Sequence, residues 1–222
     1  MVVRIVSSFA RERDGATMVE MTLVITLLLV VVLGFVDFGN ALYQWNQASK
    51  AVQVGARLAA VSAPVASNLA VLVDGLNAGE TPGNASQPYE FRCNDDQAGL
   101  LGDCSNGATY DLDNLKWIIC GSGGDCEPPY YDDCGPPHDE GARRGMCDIF
   151  PRIRPENVSV EYNYSGLGYA FRPGGPVPTI VVRLQNLNFE FFFLGDLLGF
   201  GQLQIPAMTG TITGEDLCHT AC

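Results

Sequence analysis

Histidine is nearly absent from this chain: only His138 and His219 occur among 222 residues. His138 stands in an acidic loop and His219 among terminal cysteines, and neither has a recognisable nucleophile setting. The sequence has no Gly-x-Ser-x-Gly elbow, no His-Glu-x-x-His pair and no phosphate-cradling glycine loop. These absences argue against an enzyme. No Cys-x-x-Cys occurs either, which argues against a zinc ribbon. Basic residues are scarce: 13 Lys and Arg stand against 25 Asp and Glu, for a net charge of −12. Nucleic acid requires a basic surface and is not an expected partner, and the same charge balance argues against broad binding to anionic lipid. Asp132-Asp133, His138-Asp139-Glu140, and Asp95-Asp96 with Asp103 are the carboxylate clusters that a hard cation such as calcium would use. None has EF-hand spacing, and acidic loops are usually only solvated. No metal and no cofactor is expected.

Proline is missing before Pro64, and charge is missing from Ala16 to Val36 except at Glu20. A helix of roughly 20 apolar residues, rising 1.5 Å each, crosses a ~30 Å hydrocarbon core. In lipid a single segment satisfies its backbone only as a helix. Arg4, Arg11 and Arg13 precede the run, and only Lys50 and Arg57 follow closely. That asymmetry places the N-terminus in the cytoplasm. The core is too long for an ordinary cleaved signal, and the Val61-Ser62-Ala63 exit lies too far beyond it.

The helical pattern continues past the apolar run. Ala41, Trp45, Ala48, Val52, Gly55 and Ala59 recur at spacings of 4, 3, 4, 3 and 4, a stripe near period 3.5. Small residues on such a stripe admit another backbone closely. Two packings fit it: another subunit's helix, or the chain's own globular part. One helix from Ala16 to Ser62 is about 70 Å long.

Asp14-Gly15-Ala16-Thr17-Met18-Val19-Glu20-Met21, the apolar run, Asp37-Phe38-Gly39-Asn40-Ala41-Leu42-Tyr43 and Gly55-Ala56-Arg57-Leu58-Ala59-Ala60 together resemble the TadE-like family. Its members are minor pilins, or pseudopilins, of Tad/Flp pilus systems. The resemblance covers residues 11–63, is weaker at the C-terminus and lapses over about 90–150. Met21 departs from the aromatic residue that often follows the family's glutamate. The resemblance implies a leader at 1–15, cut by a prepilin peptidase between Gly15 and Ala16. It also implies an assembly role for Glu20, the fifth mature residue. A carboxylate inside a membrane helix is a functional candidate in need of a partner, and the freed amine of Ala16 or of a neighbouring subunit is that partner. The competing account is a glutamate that snorkels to the headgroups. Implied partners are the membrane, the peptidase, other pilin subunits and the assembly machinery. The implied location is the bacterial inner membrane, single-pass, with the C-terminal part outside the cytoplasm.

The rest of the chain divides by composition. Pro64 ends the long helix, and residues 63–90 form a short helix followed by a loop. Residues 91–150 are an acidic insertion with Cys93, Cys104, Cys120, Cys126, Cys134 and Cys147; 13 acids face four bases between Glu90 and Asp148. Such a polar stretch offers little core, so disulfides are the expected staples. Cys218 and Cys222 complete an even set of eight. The expected pair is Cys218–Cys222, with a tie from the tail back to the insertion as the alternative. Residues 151–222 read as strands at Val158–Tyr164, Thr179–Phe193 and Leu203–Thr213. Phe191-Phe192-Phe193 and Leu197-Leu198 are read as core, with an exposed contact patch as the alternative. Asp37 is read as a helix-surface carboxylate at the membrane exit.

The expected fold is therefore α+β and pilin-like. A long N-terminal helix packs on a small antiparallel sheet, and a disulfide-rich loop is inserted. The competing function is a signal-anchored membrane protein whose stapled ectodomain acts as an adhesin or receptor, with Asn84, Asn157 and Asn163 as its glycosylation sequons.

Overall fold

A computed structural model describes residues 13–94, 102–121, 143–189, 191–193, 195 and 203–214, with side chains from residue 17 onward. The described chain forms two compact units, one of Met1–Tyr43 with Phe189–Leu203 and one of Gln44–Asn188 with Gln204–Cys222. Helix α1, Arg13–Val61, contributes to both. It is long and apolar enough over Thr17–Val61 to cross a membrane.

In the first unit the apolar half of α1 presents its side chains outward; Leu23, Leu27, Leu28 and Phe35 are among those exposed. Two of its hydroxyls are satisfied within the helix. Thr22 donates its hydroxyl to the Met18 carbonyl at 2.8 Å and Thr26 to that of Thr22 at 2.7 Å. Such bonds one turn back let a hydroxyl sit in an apolar setting without an external partner. The helix ends where Pro64, three residues past Val61, brings a nitrogen with no proton to donate. There the Ser62 amide closes on Leu58 at 3.0 Å.

The second unit is built on a five-stranded antiparallel sheet in the order β2-β1-β3-β4-β5. The strands are β1 Glu90–Asn94, β2 Asp103–Cys104, β3 Val158–Tyr164, β4 Pro178–Leu184 and β5 Met208–Thr213. Register puts Phe91 beside Tyr162, Tyr162 beside Ile180 and Ile180 beside Ile212. One face therefore carries Phe91, Cys93, Val158, Val160, Tyr162, Ile180, Val182 and Leu184, all buried. Alternate residues of a strand share a face, and β4 buries every second residue from Pro178 to Leu184. The residues of α1 beyond Gln44 cover this face. At Gly210 of β5 an added Cβ would stand 2.9 Å from the carbonyl oxygen of Val52 and 3.2 Å from the Ala56 Cβ. Each fully buried Val, Leu or Ile contributes about 1.5–3 kcal/mol. The expected α+β layout, a long apolar helix with a small antiparallel sheet, is the observed one.

Among the described residues the unit also holds two short α-helices, α2 at Leu69–Leu76 and α3 at Leu112–Cys120. Asp111 caps α3 by accepting from the amides of Asp113 and Asn114 at 3.0 and 3.2 Å. Leu115, Ile118 and Ile119 fill the buried side of α3.

Three expectations change in detail. The compositional zone 91–150 does not lie outside the sheet. It supplies β2 and most of β1, and with α3, Met146, Cys147 and Phe150 it adds to the core. Its apolar residues are few but stand at the positions that point inward. The strand expected to run to Phe193 stops at Leu184, because the Gln185 amide turns aside to the Asn157 carbonyl at 2.9 Å. Asn157 Nδ2 then holds the carbonyls of Gln185 and Asn186, each at 3.2 Å. The last strand starts at Met208 rather than Leu203, two residues past Pro206, which has no amide proton for a ladder. The turn or hairpin expected at 197–200 lies outside the described residues.

Candidate functional site

The sequence points to three groups of residues, and the structure treats them differently. The first is the start of α1. The helix is already formed at Arg13, so the Gly15–Ala16 bond falls inside its first turn. Glu20 is exposed, one turn further along. The two are held on one continuous helix at the spacing the sequence prescribes, and residues 1–12 of the expected leader lie outside the described residues.

The second group is the helix stripe. Ala48, Val52, Gly55 and Ala59 are buried within the second unit. A Cβ at Gly55 would run into the thioether of Met146, and Met146 is itself fully buried. These small residues receive the chain's own sheet and the Met146 turn, so they are not open to a second subunit. Ala41 is half-buried and Trp45 is exposed, so neither belongs to that buried face. The buried set is Gln44, Ala48, Ala51, Val52, Gly55, Ala56, Ala59 and Ala60, a wider stripe that follows the true helical period. Gln44 takes the place assigned to Trp45, because Arg152 Nη1 donates to its Oε1 at 3.1 Å. An apolar pattern alone gave no sign of that polar contact.

The third group is the cysteines. Cys93 and Cys104 face one another across β1 and β2 and form a disulfide. Cys120 and Cys147 are also disulfide-bonded, and no cysteine among the described residues is free. Cys126, Cys134, Cys218 and Cys222, and with them the expected Cys218–Cys222 pair, lie outside the described residues. Of the suggested sequons, Asn157 is buried and its amide is committed to two carbonyls, which closes it to a glycan.

Asp37 was missed. Its expected place was the helix surface, but it is fully buried in the first unit. Oδ1 accepts the amide of Phe192 at 2.8 Å, and Oδ2 accepts that of Phe193 at 3.0 Å. A carboxylate holding two successive amides is a strong anchor, because hydrogen bonds to a charged acceptor are about twice as strong as neutral ones. The same segment is closed by the Phe189 amide on the Leu203 carbonyl at 2.7 Å. Phe189 and Phe191 are half-buried, whereas Phe192 and Phe193 are exposed. The exposed alternative therefore holds for those two.

Two further polar groups have structural roles. Glu161, nearly buried on the outer sheet face, takes Arg183 in a two-point bond at 2.9 and 3.0 Å and Arg92 at 3.4 Å. The bond that Arg183 donates to Glu161 raises the Arg183 pKa above its ordinary value. Tyr162 is buried under the sheet, and its hydroxyl accepts the Val65 amide at 2.8 Å just after α1 ends. Burial pushes its phenol well above the ordinary value. An open groove between α2 and β1, lined by Leu72, Leu76, Tyr89 and Phe91 among others, carries a single carboxylate, Glu90. Among the described residues no three metal-binding side chains come together.

The arrangement suits anchoring and packing: an exposed apolar helix that carries Gly15 and Glu20 near its start, and a stapled sheet unit that fills its own helix face. Comparison with curated proteins and with solved structures gives no match. Residues 15–57, which hold Gly15, Glu20 and the whole apolar run, match the family model described as TadE-like protein, the family that the sequence resembles.

Proposed function

We propose that this protein is a minor pilin, or pseudopilin, acting in Tad/Flp pilus assembly at the bacterial inner membrane, with a structural rather than an enzymatic role. The observation that carries this reading is the match to the TadE-like model over residues 15–57. That segment sets a Gly15–Ala16 junction and Glu20 at the mouth of an exposed apolar helix. A prepilin peptidase cuts after Gly15. Glycine is the poorest helix former after proline, so this turn is the easiest to unwind into an active site. Cleavage frees the amine of Ala16, and Glu20 pairs with that amine or a neighbour's as helices pack in the membrane. Lateral packing uses the apolar surface from Met18 to Phe38, since the buried stripe beyond Gln44 is occupied by the chain's own sheet. The arginines ahead of the span keep the N-terminus in the cytoplasm, and the stapled sheet unit faces an oxidising compartment.

Mass spectrometry of the mature N-terminus, with co-purification of partner pilins, tests this reading. In a host with an active prepilin peptidase the wild-type chain begins at Ala16. Gly15→Arg leaves the 15-residue leader attached. Glu20→Leu is cleaved and inserted normally, because a leucine costs less than a carboxylate in lipid, but loses its partner pilins. A wild-type chain that retains residues 1–15 refutes the pilin reading and favours the signal-anchored ectodomain. A Glu20→Leu protein that assembles normally shows the carboxylate to be a snorkelling bystander.

A further inference from the structure

The Asp37 anchor fixes an aromatic segment to one level of α1. Asp37 follows directly on the apolar run that ends at Val36, and it lies 21 residues from Ala16, about 31 Å along the axis at 1.5 Å per residue. That distance matches the ~30 Å thickness of a hydrocarbon core. Asp37 therefore sits where α1 leaves the lipid on the far side. Its carboxylate, 0% exposed, holds the amides of Phe192 and Phe193. The two rings lie 6.4 Å apart and are 66% and 42% exposed. On α1 itself Phe35 is 73% and Phe38 62% exposed, one on each side of Asp37. The segment also belongs to the compact unit of the apolar half of α1, not to the unit of the sheet.

We infer that Phe192 and Phe193 form a second membrane contact, seated in the outer interface of the bilayer that α1 crosses, with Asp37 as the positioning residue. The inference rests on the membrane-spanning part of the proposed function. Four exposed phenyl rings at one level would be a poor surface in water. At a lipid boundary they extend the apolar surface that the helix already offers there, and phenylalanine is among the side chains that interfacial segments bury at the headgroup–acyl boundary. The occupant is lipid rather than an acidic or basic protein face. At this level the chain offers exposed phenyl rings beside the apolar end of the span, while the Asp37 carboxylate is turned inward onto the two amides. The contact gives the unit that holds the apolar half of α1 a second place on the membrane surface besides the helix.

The test is photo-crosslinking of the full-length protein in vesicles of phosphatidylethanolamine and phosphatidylglycerol. p-Benzoyl-phenylalanine replaces Phe192, Phe193, Leu28 or Val71 in separate preparations, and adducts are identified by mass spectrometry. Leu28 reports the span and Val71, exposed in the other unit, reports background. Lipid adducts at 28, 192 and 193, with none at 71, uphold the inference. Asp37→Asn should then lower the yield at 192 and 193 severalfold while leaving the yield at 28 unchanged. Lipid adducts at 28 with only protein adducts, or none, at 192 and 193 overturn the second contact and spare the spanning helix. An absence of lipid adducts at 28 overturns the spanning reading and this inference with it.

Discussion

Single residues decide how closely the helix and sheet approach. Gly210 faces α1 where a Cβ would meet the Val52 carbonyl oxygen at 2.9 Å, and a backbone atom cannot rotate away. Gly210→Ala should cost about 1–3 kcal/mol, read as a lower denaturant midpoint for the full chain in detergent; an unchanged midpoint would mean that the strand slides outward freely. Tyr162 sets a pH limit. Its phenol has an ordinary value of 10.0, and burial raises that value in the folded protein. Below 10 both states hold the proton, so the folded state loses nothing. Above 10 the unfolded chain releases it first, and stability falls as pH rises toward the folded value. Tyr89 is shifted the same way, by burial and then by Tyr164. Melting temperature should therefore decline above pH 10, and Tyr162→Phe should flatten part of that decline. The same change should cost about 1–3 kcal/mol at neutral pH, since the Val65 amide loses its acceptor. Neither role was legible in the sequence: Gly210 read as one member of a strand and Tyr162 as one of an alternating series, and only register shows what each meets.

At the scale of elements, strong periodicity was legible and sparse periodicity was not. Val158–Tyr164 alternates without interruption and forms β3 as expected, and the apolar run forms α1. β1 and β2 were missed because five and two residues, among glycines and acids, give too short a pattern. The acidic composition of 91–150 suggested an appendage, yet β1 borders the central strand and pairs from Glu90–Asn163 to Asn94–Ser159. Replacing residues 91–148 by a linker would strip β3 of that neighbour and is expected to unfold the sheet. A milder change isolates the staple. The Cys93–Cys104 bond closes a loop with a sequence separation of 11, and closures of that order contribute about 2–4 kcal/mol. Changing both cysteines to alanine should lower stability by that amount in urea unfolding, with β3, β4 and β5 keeping their hydrogen-exchange protection. Loss of protection throughout the sheet would show instead that β2 nucleates the unit.

For the molecule as a whole, charge and apolar surface point in opposite directions, and that contrast yields a test of what holds it to the membrane. The net charge is −12 over the whole chain, and the first 15 residues contribute +1 of it, with three arginines against one aspartate and one glutamate. The remainder is therefore −13, which an anionic bilayer repels. The attraction must come from the exposed apolar helix, whose mean hydropathy reaches 2.7 over its most apolar window. Electrostatic attachment fails when charges are screened; the Debye length falls to ~3 Å at about 1 M salt. Apolar attachment does not, and salts that are excluded from protein surfaces strengthen it. The protein should accordingly remain in the membrane pellet after washing at about 1 M sodium chloride and after alkaline carbonate, and should be released by detergent. Removal of residues 1–15 should not change this, because the apolar run begins after them. Release by salt alone would mean that the long helix is sheltered in a protein complex instead of lying in lipid, and the exposure of Leu23, Leu27 and Phe35 would then mark the surface on which that complex packs.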